Sequence, residues 1–146
     1  MTPIDDALQA ALAAEQRIVF GYGVLGPHLA PARRPAAHAA QAAHEQLRDR
    51  AIAALTAVHV PPAAGQVDYP DLYAVRSAAT ALRRAIALEE AGATAWRFLY
   101  TKSSAPNAST ALRRLAQDGL TGCAVRATQW RVALGDPTPT VPFPGI

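Results

Sequence analysis

Apolar residues recur three and four positions apart along four stretches of the chain, the spacing that gathers side chains on one face of an α-helix. The first stripe is Leu8, Leu12, Glu15, Val19 and Tyr22, and the second is Ala40, His44, Leu47, Ala51, Leu55 and Val58. The third is Leu72, Val75, Ala79, Leu82, Ile86, Glu89, Ala93, Trp96 and Tyr100. The fourth is Leu112, Leu115, Gly119, Cys123, Arg126, Trp130 and Leu134. Ionisable residues interrupt these faces near mid-helix: Glu15, His44 and Glu89, with Arg48 and Arg126 on the faces of their own helices. A buried charge is costly unless paired, so several converging on one core mark a site or its remains.

Breaker residues divide the stripes. Thr2 is suited to cap a first helix with Pro3 at its first position and Asp5 in its first turn, and Gly26-Pro27 ends it. A second helix is predicted over about residues 36 to 58, a third over about 71 to 101 with Asp71 or Asp68 as cap, and a fourth over about 108 to 134. Pro61 and Pro62 exclude a helix between the second and third. Ser103-Ser104-Ala105-Pro106-Asn107 reads as a turn, and Gly135-Asp136-Pro137 stops the fourth helix. Residues 136–146, with four prolines, predict an extended tail whose Val141, Phe143 and Ile146 pack on the bundle or on a second subunit. The expectation is all-α: a four-helix bundle over residues 1–135 and a Pro-rich C-terminal tail over 136–146. The connection after helix two, about twelve residues, reaches on the order of 40 Å if extended. That is enough to cross a bundle about 35 Å long and leave helices two and three parallel.

Composition narrows the picture. Alanine supplies much of the 51% hydrophobic content and aromatics only 6%, which suits closely packed helices. Charged residues are 17%, sparse for a fully solvated surface, so a second copy of the chain is expected to cover part of it as a homodimer. The net charge of +3 does not imply nucleic acid: Lys102 is the single lysine, and the arginines are scattered rather than interleaved with aromatics. Scarce lysine beside abundant arginine and alanine looks like GC-rich coding. The single cysteine, Cys123, excludes an internal disulfide and reads as a small buried hydrophobe. No apolar run reaches the length of a membrane span, and the N-terminus lacks the basic and apolar regions of a signal peptide, so the expected compartment is the cytoplasm.

Glu15, His44 and Glu89 all fall near the middle of the bundle: about 16 Å from the end of helix one, about 14 Å into helix two and about 18 Å from the end of helix three. Arg126, about 27 Å into helix four, joins them only by reaching. Glu15, Gln41-Ala-Ala-His44 and Glu89 resemble a worn copy of the ferritin-like di-metal pattern, which places a Glu on two helices and Glu-x-x-His on the other two. Gln41 stands where the first Glu-x-x-His would have its glutamate, and Cys123-Ala-Val-Arg126 stands at the spacing of the second. Ala14-Glu15-Gln16-Arg17, the glycines from Gly21 to Gly26, the His44-to-Arg48 spacing and Pro142-Phe143-Pro144-Gly145 are similar to an uncharacterised ferritin-like domain family of high-GC bacteria. The resemblance implies the bundle and no activity.

Two hard cations need about four carboxylates and two histidines, against two and one here. The expectation is therefore a non-catalytic protein without cofactor. Glu15, Gln41, His44, Arg48, Glu89 and Arg126 would form a buried polar and ionic network at the former metal positions. The alternative is a divergent iron-, manganese- or zinc-dependent oxidoreductase or metal-binding protein, with Glu15, His44 and Glu89 as candidate ligands. Tyr22 and Tyr100 are candidates to turn their hydroxyls toward the cluster. Trp96 and Trp130 read as core or interface anchors.

Overall fold

The structure, a computed structural model, describes residues 1–104 and 108–146. Among these residues there are four long helices and no strand: α1 (Pro3–Leu25), α2 (Arg34–Ala57), α3 (Ala78–Lys102) and α4 (Thr110–Leu134). At the start of α1, Asp5 N–H donates to Thr2 Oγ1 while Thr2 N–H donates to the Asp5 carboxylate at 2.7 Å, a reciprocal cap. Ser109 caps α4, and Gly135, at φ +84°, ends it in the left-handed conformation.

The third helix begins at Ala78, not at the expected position near Asp71. Ser77 and Thr80 cap one another there, and Pro70–Tyr73 form a separate 3-10 turn. Leu72 and Val75 are buried as their spacing implies, but from the turn and the loop after it. Ala105, Pro106 and Asn107 of the expected turn lie outside the described residues.

Side-chain pairings fix the helix directions. Glu15 meets Trp96, Gly21 meets Leu88, and Ile18 meets Gly92, so α1 and α3 are antiparallel. Glu89 meets Arg126, and Trp96 meets Gly119, so α3 and α4 are antiparallel. On the other side, Glu15 meets His44 and Gly23 meets Gln41, so α2 also runs against α1. α2 and α3 are therefore parallel, and residues 58–77 form the crossover between them. This segment runs along α1. Gln9 donates to Pro61 O at 2.8 Å and accepts from Ala63 N–H at 3.0 Å, and Gln16 donates to Ala63 O at 2.9 Å. Further along, Phe20 packs edge-on against Tyr69, with ring centroids 5.2 Å apart.

The apolar core is in two pieces. One gathers Leu8, Leu12, Leu47, Leu55, Trp96 and Leu99, and the other Ile18, Tyr22, Leu25, Leu72, Leu88 and Trp130. Glu15, His44 and Glu89 sit in sequence between members of the two and occupy the waist of the bundle. No described helix is long and apolar enough to cross a membrane.

Beyond Gly135 the chain carries no helix. It returns along α3 and α4, where Arg131 donates to Pro139 O at 3.3 Å and Arg97 to Pro144 O at 3.1 Å.

Candidate functional site

Glu15, His44 and Glu89 are fully buried and in direct contact across three helices. His44 Nδ1 is 2.6 Å from Glu15 Oε2, and His44 Nε2 lies 3.0 and 3.1 Å from the two oxygens of Glu89. From α4, Arg126 Nε donates to both Glu89 oxygens, at 3.1 and 3.2 Å. It reaches the carboxylate by folding back over Gly122, where an added Cβ would stand 3.2 Å from the guanidinium nitrogens.

Neutral donors complete the shell. Trp96 Nε1–H donates to Glu15 Oε1 at 2.6 Å, Tyr22 O–H donates to Glu89 Oε1 at 2.5 Å, and Trp130 Nε1–H donates to the Tyr22 oxygen at 2.7 Å. All four carboxylate oxygens accept, and no buried side-chain nitrogen or oxygen among the described residues lacks a partner.

The indole fixes one chain of donors. An indole N–H only donates, so Tyr22, which accepts from Trp130, spends its own proton on Glu89. Both nitrogens of His44 face carboxyl groups, the arrangement that suits a doubly protonated, cationic ring between two carboxylates. Burial alone would lower the His44 pKa, but the hydrogen bonds and charges of Glu15 and Glu89 outweigh it and leave the pKa raised. Two carboxylates, an imidazolium and a guanidinium then sum to zero. Burial, reinforced by Glu89, pushes the Tyr22 hydroxyl above the ordinary phenol range.

The expected six-residue cluster is only partly assembled. Glu15, His44, Glu89 and Arg126 come together. Arg48 does not: its side chain is 32% exposed and pairs with Asp49 at 2.8 Å. It flanks the Leu47 and Ala51 stripe, and its long stem carries the charge out to water. Gln41 is half-buried and makes no hydrogen bond with the cluster; it lies near Gly23 of α1 instead. Tyr22 donates its hydroxyl to the cluster, and the Tyr100 hydroxyl makes no hydrogen bond with it. The indoles of Trp96 and Trp130 belong to the network, a role their stripe positions do not disclose. The available signal was chemical: a buried indole N–H needs an acceptor, and Trp96 lies two helical turns from Glu89.

Cys123 is buried, and its Sγ, a Glu15 oxygen and a His44 nitrogen lie within 4.8 Å of one another, close enough to hold one metal ion. Burial, with the charges of Glu89 and Glu15, pushes the Cys123 thiol well up, so it keeps its proton. Gly119 leaves no pocket. A Cβ there would be 2.3 Å from the Trp96 ring, so the glycine admits the indole that reaches Glu15.

Comparison with known proteins places the chain without assigning an activity. A family described as "Domain of unknown function (DUF4439)" matches residues 7–146. Among solved structures, the chain is similar to a conserved hypothetical protein, rv2844, from Mycobacterium tuberculosis. The two are 33% identical, the similarity covers 92% of each chain, and the TM-score is 0.85. No curated protein matches.

Proposed function

Starting from a chain that belongs to the DUF4439 family, we propose that this is a non-catalytic ferritin-like bundle in which a buried ion network stands at the positions of a di-metal centre. The antiparallel pairs joined by a long crossover between parallel α2 and α3 support the ferritin-like assignment. One observation carries the functional reading: all four oxygens of Glu15 and Glu89 are taken by protein donors, two of which are cations.

The donor set does not fit a di-metal centre. Such a centre needs about four carboxylates and two histidines to neutralise and bridge its cations. The waist offers two carboxylates, one histidine that is already doubly protonated and one thiol that holds its proton. Arg126 occupies Glu89 with a positive charge of its own. Metal analysis of protein purified from medium supplemented with iron, manganese and zinc tests this. Much less than one ion per chain is expected, and close to two would overturn it.

A second reading, a divergent metal-binding protein or metal-dependent oxidoreductase, is favoured by the closeness of Glu15, His44 and Cys123. It requires metal in the wild type that a Glu15→Gln variant loses without unfolding. A homodimer is supported by exposed Val125, Phe143 and Ile146 on α4 and the tail, and sedimentation equilibrium tests it.

A further inference from the structure

The α2–α4 edge is the open side of the bundle. A groove of about 630 Å³ runs there, floored by Ala40, Ala43 and Trp130 and bounded by Arg33 and Arg126. The volume falls within the range of small-molecule sites. No acidic residue lines it. Arg33 makes no salt bridge among the described residues, and it stands just ahead of α2, whose first turn carries no acidic side chain to offset the positive helix end.

Arg126 links the groove to the waist. Its Nε is committed to Glu89, while Nη2 has only the Cys123 sulfur at 3.9 Å and Nη1 has no acceptor among the described residues. Because no buried side-chain nitrogen there goes without a partner, Nη1 is open to solvent. It is the edge of a fixed guanidinium, held from behind by a carboxylate and flanked by apolar walls. A planar anion bonded to such an edge gains more than one bonded to a mobile surface arginine. From Arg33 to Ala43 the groove follows ten residues of α2, about 15 Å, comparable to a straight chain of about ten carbons.

We propose that the α2–α4 groove binds an elongated apolar carboxylate, its anionic head on the open edge of Arg126 and its chain along the alanines of α2. Arg33 and the start of α2 draw the anion in. This goes beyond the non-catalytic reading and does not depend on it, since metal content can refute that reading without touching the groove.

The test is titration of the full-length protein with decanoate below its micellar concentration, followed by calorimetry and by tryptophan emission, which Trp130 on the groove floor reports. Decanol is the neutral control of the same length. Saturable decanoate binding is expected, with decanol and the Arg126→Lys variant each at least about tenfold weaker, the loss of about one charge-assisted hydrogen bond. Ala39→Trp, at an exposed position on the groove wall, fills the space without disturbing the core and is expected to abolish binding while the circular dichroism stays unchanged. Absence of saturable binding at millimolar decanoate, equal affinity for decanol, or an Ala39→Trp variant that binds like wild type would each overturn the proposal. So would a wild-type dimer that Ala39→Trp splits without any decanoate effect, which would assign the groove to a second copy of the chain.

Discussion

His44 Nδ1 lies 2.6 Å from Glu15 Oε2 with both side chains fully buried, on helices whose apolar stripes each break at that one residue. Glu89 holds the other ring nitrogen, so the imidazole is a cationic bridge between two carboxylates that would otherwise repel one another. Buried ion pairs often add little to stability over apolar residues, but removing one partner strands the others. The waist therefore behaves as a unit.

Stability should depend on pH through His44. Its folded pKa is raised above the ordinary 6.5, so the folded protein retains a proton that the unfolded chain has released. The contribution is fully present below about 6.5 and is lost as pH climbs through the folded value. Urea unfolding from pH 6 upward should show falling stability, and a His44→Gln variant should lose that slope. A stability that rises over the same range would contradict the assignment.

Tyr22→Phe removes the hydroxyl that accepts from Trp130 and donates to Glu89. The Trp130 N–H is then left buried without an acceptor, at a cost of about 1–3 kcal/mol. Chemical denaturation measures the loss, and a shift in Trp130 emission should accompany it. A neutral effect would mean the hydroxyl is not a link in the chain.

Two glycines should respond in opposite ways to alanine. At Gly119 the new methyl meets the Trp96 ring, which cannot retreat while its N–H is bonded to Glu15, so a loss of about 1–3 kcal/mol or more is expected. At Gly23, exposed within α1 and with only the Gln41 amide nitrogen, 4.0 Å away, near an added Cβ, Gly23→Ala should be neutral or stabilise by up to about 1 kcal/mol. Thermal denaturation of the two variants side by side compares them.

The four helices were legible because each stripe keeps its period through the ionisable residue, and Glu15, His44 and Glu89 stood out as errors in an apolar pattern. Arg48 shows the limit. A residue one turn from His44 sits on the flank of the stripe, and a long charged stem settles inward or outward by its partner, here Asp49. The early start expected for α3 has a similar cause, since Leu72 and Val75 hold a helical spacing of three and are both buried, but from a 3-10 turn and the loop after it. Gln9 and Gln16, which bind the crossover backbone, look like ordinary solvated residues until the crossover is known to lie on α1.

Gly145→Ala should release the tail. Gly145 has φ +81°, and a Cβ there would lie 2.7 Å from the Ala93 carbonyl oxygen, so the close approach to α3 requires glycine. Arg97 and Arg131 would then lose their acceptors at Pro144 and Pro139. Limited proteolysis should cut residues 136–146 faster in the variant than in wild type. Equal rates would show that the tail is not held by this contact.

The protonation of His44 tests the buried ion network most directly. Nitrogen-15 chemical shifts of the imidazole ring, recorded at pH 7 on the intact protein, distinguish a doubly protonated ring from either neutral tautomer. Two protonated ring nitrogens are predicted, each with a proton shared toward a carboxylate. A neutral His44 with one bare nitrogen would contradict the account, because one of the buried carboxyl groups would then hold the proton and donate it to the ring, and the imidazole would no longer be a cation between two carboxylates.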